Sequence, residues 1–134
     1  MKVYKVVENF KGRLVSALIF GKAVVEYTPG EWTEAPKWLA RKGYHITAFK
    51  DLVDARDFAA FNSTYVKHME IWQAEAEGVS EDLPAMMNPF GLSCGVLEKC
   101  PDDFLWLSST IMCRRLKLVR KLDWKEIEKM LKED

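Results

Sequence analysis

The separation of charge along this chain constrains its fold more than any other feature. From His68 to Glu98 there is no lysine or arginine, yet Glu70, Glu75, Glu77, Glu81, Asp82 and Glu98 fall in that stretch. From Arg114 to Lys121 there is no acid, and Arg114, Arg115, Lys117, Arg120 and Lys121 crowd together. Within the acidic ribbon, Trp72, Ala74 and Ala76 alternate with Gln73, Glu75 and Glu77, the two-residue period of a strand. Facing side chains of opposite charge on neighbouring strands contribute about 0.2–1 kcal/mol per pair. The strand near Trp72 to Glu77 is therefore expected beside a strand near Cys113 to Lys121, in one sheet.

The rest of the composition allows such a sheet a core. With 134 residues, 49% of them hydrophobic, the chain fits one domain spanning residues 1–134. Twenty basic residues balance twenty acidic ones, so no global field points to nucleic acid or an anionic membrane. No segment approaches the ~18–20 consecutive apolar residues of a membrane helix. Leu14 to Phe20 is the longest apolar stretch near the start, and it has the character of a strand rather than a signal peptide. Cys94, Cys100 and Cys113 are an odd number of thiols in a chain with a core, which points to a reduced, cytoplasmic protein. A surface disulfide between Cys94 and Cys100 is the alternative.

Local patterns fill in the remaining elements. Val3 to Val7 is a first strand, rich in β-branched and aromatic side chains. Arg13 to Phe20 and Ala23 to Thr28 flank Gly21-Lys22, a pair suited to a two-residue hairpin turn. That turn would set Phe20 opposite Ala23, Leu18 opposite Val25 and Ser16 opposite Tyr27, all on one face with Leu14. Glu31 to Lys42, which holds Trp32 and Trp38, has no clean period and is expected to be a loop with one short helical turn. A strand over Tyr44 to Phe49 follows. Asp51 then opens a helix whose apolar stripe is Leu52, Ala55, Phe58 and Ala59. Tyr65 to Glu77 is a long strand, and Phe104 to Leu122 supplies one long or two short strands. Asp123 caps a last helix with the stripe Trp124, Ile127, Met130 and Leu131.

Between the acidic and basic ribbons lies a long aperiodic segment. Leu83 to Leu97 has no charged residue and includes Met86, Met87 and Phe90. An apolar patch of this kind is a liability when exposed, so it is expected to cover the body of the protein or another subunit. Self-association or a protein partner at Met87 and Phe90 follows from that reading.

Chemistry-bearing residues are few. His45, in a strand, has the side chain suited to general base work near neutral pH, and Tyr27, Glu70 and Glu75 are the groups a cleft could bring to it. The competing account makes His45 and His68 structural or exposed strand histidines. The spacings of Cys94, Cys100 and Cys113 match no common zinc arrangement, so no metal is expected. Phosphate-binding glycine motifs are missing, and no cofactor is expected. The basic run from Arg114 to Lys125, near Trp106 and Trp124, has the ingredients of a nucleic-acid groove. Pairing with the acidic ribbon accounts for it better in a neutral chain.

The motif Tyr27-Thr28-Pro29-Gly30, followed by Gly43-Tyr44-His45 and an acidic helix starting at Asp51, resembles small uncharacterised bacterial and phage domains. The likeness covers roughly Tyr4 to Glu77 and implies no activity. Gly43 to Thr47, followed by the helix at Ala55 to Ala59, is similar to a strand–helix unit of the ADP-ribosyltransferase fold. That resemblance implies a His or Arg on the first strand and a catalytic Glu on a later one. Glu70 or Glu75 matches the glutamate, but the first strand offers Tyr4 and Lys5, so the first role is unfilled.

Together these readings give an α+β domain: a mostly antiparallel sheet of about five to six strands with two amphipathic helices on one face. The functional expectation is a small non-catalytic accessory or binding protein that self-associates. The alternative is a small enzyme with a cleft near His45, between the Trp32/Trp38 loop and the sheet.

Overall fold

The computed structural model describes residues 1–16, 25–41, 43, 45–61, 68–81 and 109–133. The elements are β1 (Lys2–Phe10), β2 (Arg13–Ser16), β3 (Glu26–Tyr27), β4 (Trp32–Glu34), α1 (Lys37–Ala40), β5 (Ile46–Phe49), α2 (Leu52–Phe61), β6 (Met69–Glu77), β7 (Thr110–Cys113), β8 (Arg115–Leu122) and α3 (Trp124–Lys132). The eight strands form one sheet, antiparallel at every described pairing. The fold is α+β, as expected. Two features raise the strand number above five or six: β4, which pairs with β8, and the division of the last strand at Arg114.

The charge ribbons do lie side by side. β6 runs between β1 and β8, and Glu75 faces Lys117 while Glu77 faces Arg115. Arg115 Nε donates to Glu77 Oε2 at 2.6 Å. The register slips by one residue between Gln73 and Ala74, which leaves Val119 without a partner on β6 and 51% exposed.

The sheet returns on itself. β5 pairs with β7 along one edge and meets β1 at Tyr4–Phe49, while Met112 of β7 bridges Ser80 just beyond β6. On the other side β3 pairs with β2, Gly30 N–H donates to Leu118 O, and β4 continues along β8. Alternation along these strands then separates two cores. Val3, Val7, Ala74, Ala76, Ile111, Leu116 and Leu118 face the enclosed interior. Val6, Phe49, Ile71 and Leu122 face outward and are covered by Leu52, Ala55 and Ala59 of α2 and Ile127 of α3. Both helices thus sit on the outer face, as their stripes predict. Asp123 caps α3, its Oδ1 accepting the Glu126 N–H at 2.7 Å. Trp124, assigned to the stripe, is instead 48% exposed.

The hairpin register differs from expectation. Leu14 faces Tyr27, and Ser16 exchanges bonds with Val25, two residues away from the Ser16–Tyr27 pairing that a Gly21-Lys22 turn implies. A slip of two keeps every side chain on its face, so Leu14, Ser16, Val25 and Tyr27 are all buried. The observed register lets Ser16 Oγ accept the Val25 N–H and sets the Arg13 guanidinium on the Glu26 carboxylate. Packing and pairing at the open end of the hairpin fix the register. Gly21 and Lys22 lie outside the described residues, as do Cys94, Cys100 and the Leu83 to Leu97 stretch with Met87 and Phe90.

Among the described residues, no helix is long and apolar enough to cross a membrane, and no cluster of side chains could hold a metal ion.

Candidate functional site

Two polar clusters stand out, one inside the sheet and one at its rim. The interior cluster begins with Lys5. Strand alternation sets it on the inner face between Val3 and Val7, and it is only 8% exposed. Its ammonium donates to Thr47 O at 2.6 Å and lies 5.7 Å from the centroid of the Tyr27 ring. This bond crosses the seam at which β1 and β5 share a single pairing, Tyr4 with Phe49. Tyr27 and Cys113 are buried beside it. Burial pulls the Lys5 amine down to about 8, with no carboxylate paired to it among the described residues. Burial also pushes the Tyr27 phenol up, reinforced by Cys113, and the Cys113 thiol up to about 11. A low thiol pKa is what a nucleophilic cysteine needs, so Cys113 is set in the opposite sense.

The second cluster surrounds Glu70 at the start of β6. Asn9 Nδ2 donates to Glu70 Oε2 at 2.8 Å, Trp72 Nε1 donates to Oε1 at 3.0 Å, and Lys121 Nζ lies 3.4 Å from Oε2. Burial alone would raise the Glu70 carboxyl, but the Asn9 and Trp72 bonds and the Lys121 charge outweigh it and hold the group below the usual carboxylate range. Glu70 is therefore ionised and oriented, with its side chain 12% exposed. It forms part of the floor of a groove of about 570 Å³, which lies between the ends of β1 and β8, the start of β6 and the start of α3. Lys11, His68, Lys121 and Trp124 stand around it, with Met69 and Ile127 among its apolar walls. That volume lies within the ~300–1,000 Å³ typical of small-molecule sites.

The four residues singled out from sequence do not meet in one cleft. Tyr27 is sealed in the interior, with its ring beside Lys5. Glu70 belongs to the rim. Glu75, of opposite strand parity, points to the outer face, is half-exposed, and lies 3.7 Å from the N-terminal ammonium. His45 is half-buried directly before β5 and forms no hydrogen bond or ion pair with the other three. Five residues of strand separate Glu70 from Glu75, roughly 16 Å. The Trp32 side of the proposed cleft is occupied by pairing: β4 lies on β8, with Trp32 against Arg115 at 4.4 Å and Lys117 at 4.9 Å.

Sequence reasoning missed Lys5, Asn9, Trp72 and Lys121 as members of polar clusters. For Lys5 the signal was present, since a lysine at the middle of Val3-x-Lys5-x-Val7 shares the valines' face. Lys121 was placed on the ribbon neighbouring Glu70, but the one-residue bulge decides that it faces Trp72 rather than Ile71. Comparison with protein-family models, with curated proteins and with solved structures gives no match for this chain.

Proposed function

We propose that this chain is a non-catalytic binding domain that self-associates through the uncharged Leu83 to Leu97 segment. The observation supporting it is the division of its reactive side chains. Lys5, Tyr27 and Cys113 are shut inside the sheet, while Glu75 belongs to the opposite face from Glu70 and His45 lies before β5 without a bond to either. General acid–base or nucleophilic work needs groups within hydrogen-bond reach of one another and of a substrate. None of these residues has that arrangement. The basic ribbon supports the same reading in part, because two of its charges are spent locally, Arg115 on Glu77 and Arg120 on Glu126. A surface neutralised in this way offers little to a polyanion. The buried, free Cys113 fits a reducing, cytoplasmic setting.

Light scattering of the full chain tests the reading. A dimer at micromolar concentration that becomes monomeric in Met87→Asp or Phe90→Asp is expected, and a monomer throughout that range would overturn it. His45→Ala addresses the enzyme alternative separately. It is expected to leave the melting temperature and self-association unchanged.

A further inference from the structure

We infer that the groove over Glu70 is a ligand site for a small anion with a flat apolar body, such as an aromatic carboxylate. Among the described residues, the side-chain acceptors near the groove are occupied from within the fold, Asp123 Oδ2 excepted. Glu70 receives Asn9, Trp72 and Lys121; Asp123 Oδ1 receives the Glu126 N–H; and Asn9 Oδ1 receives the Gly12 N–H at 2.9 Å. The donors are not. Lys121 has three N–H groups and one long contact, and its side chain is 55% exposed. Among the described residues Lys11 lies only against the Phe10 ring, at 5.5 Å, and His68 is exposed. A ligand that can only accept is the complement of such a site.

Accessibility points the same way. The Glu70 side chain is recessed, at 12% exposure, whereas the Lys121 side chain beside it is 55% exposed. An incoming cation would have to displace Lys121 to reach Glu70. An incoming anion needs no displacement, and it gains charge-assisted bonds from Lys121 and Lys11. Glu70 then acts as a positioning residue, holding the root of the Lys121 charge in one place. The apolar part of the ligand is met by Trp124, an indole 48% exposed although its helix is otherwise seated on the sheet through Ile127. This site involves no residue of the Leu83 to Leu97 segment, so it stands or falls independently of self-association.

Titration of 2-naphthoate into the ¹⁵N-labelled full chain, followed by NMR, tests the inference. Shifts confined to Asn9, Lys11, His68, Lys121 and the Trp124 indole N–H are expected. The neutral analogue 2-naphthalenemethanol should bind about ten-fold more weakly, the loss of one charge-assisted contact. Lys11→Met and Trp124→Ala should each weaken 2-naphthoate several-fold without unfolding the chain, because both side chains are exposed. Lys121→Met should weaken it most. Equal binding of the neutral analogue, tighter binding of 2-naphthylmethylamine, shifts scattered over the surface, or an unchanged affinity in Lys11→Met and Trp124→Ala would each overturn it.

Discussion

The interior and rim clusters are built from similar parts and behave in opposite ways. At the rim, one carboxylate collects two neutral donors and a cation, so its charged form is favoured although it is mostly buried. In the interior, one ammonium has a single carbonyl and the face of a phenol ring, and its charged form is disfavoured. The difference is partner number and solvent. Burying a charge is costly unless it is paired and hydrogen-bonded, and Lys5 meets only half of that condition. Its bond to Thr47 nevertheless ties β1 to β5 where one backbone pairing alone joins them. The interior cluster holds the sheet closed, whereas the rim cluster leaves donors free for another molecule.

Removing the interior's dryness is expected to give the largest effect. Tyr27→Ala would leave a cavity beside Lys5 and should cost about 3–5 kcal/mol, as buried aromatic truncations do. Water admitted there would also solvate Lys5. Chemical denaturation measures the first consequence, and the second appears as a flattened pH profile. In the unmodified chain, the Lys5 amine is about 8 when folded and near 10.5 when unfolded, so between those values the unfolded chain binds more protons. Stability must therefore rise with pH from about 8, by about 1 kcal/mol up to pH 9. Above pH 9 the buried Cys113 thiol opposes the rise, and Tyr27 adds to that above pH 10, because both groups ionise more readily in the unfolded chain. A shallow maximum near pH 9 is expected, and Lys5→Met should abolish the rise towards it. A profile that falls steadily from pH 7 to 9 would contradict the burial of an unpaired amine.

How much of this was legible in the sequence differs between the clusters for a physical reason. Strand parity is local, so the inward face of Val3, Lys5 and Val7 and the outward face of Glu75 follow from alternation alone. The pairing of acidic and basic ribbons was also legible, because charge complementarity acts between whole strands. What a lysine meets inside a closed sheet was not. That depends on β5 crossing β1 at one residue and on Tyr27 arriving from β3 in a register two residues from the one its turn implies. The groove depended on a single bulge on β8, which turns Lys121 towards Trp72 and Glu70. No periodicity in Arg115 to Leu122 announces it. His45 attracted attention as a residue type, yet residue type says nothing of the side chains that tertiary structure places around it.

The rim should respond to charge removal more mildly than the interior responds to truncation. Glu70→Gln keeps the shape but offers one acceptor oxygen to two donors, so one of the Asn9 and Trp72 bonds is weakened and the other is lost, at a cost of about 1–3 kcal/mol at neutral pH. The Glu70 carboxyl is lowered in the folded chain, so its contribution is complete above the unfolded carboxylate range and is lost as pH falls through the folded value. Acid denaturation of Glu70→Gln should accordingly begin from a lower stability and show a shallower decline than the unmodified chain. An identical acid limb in both proteins would mean that Glu70 is no better partnered folded than unfolded.

The smallest effect on stability should come from Lys121→Met, and its smallness is informative. The Lys121–Glu70 contact is long and more than half-exposed on the lysine side, so the pair is worth about 0.5 kcal/mol and salt should erode it further. Asn9 and Trp72 remain to hold Glu70 in place. If Lys121 were chiefly a structural counter-ion, Lys121→Met would cost several times that amount, since a mostly buried carboxylate would lose its only nearby cation among the described residues. A loss near 0.5 kcal/mol, measured in low and high salt, would show that the fold scarcely depends on this ammonium. It is then available, in a groove whose Glu70 carboxylate is already partnered, to meet a charge that the described residues do not supply.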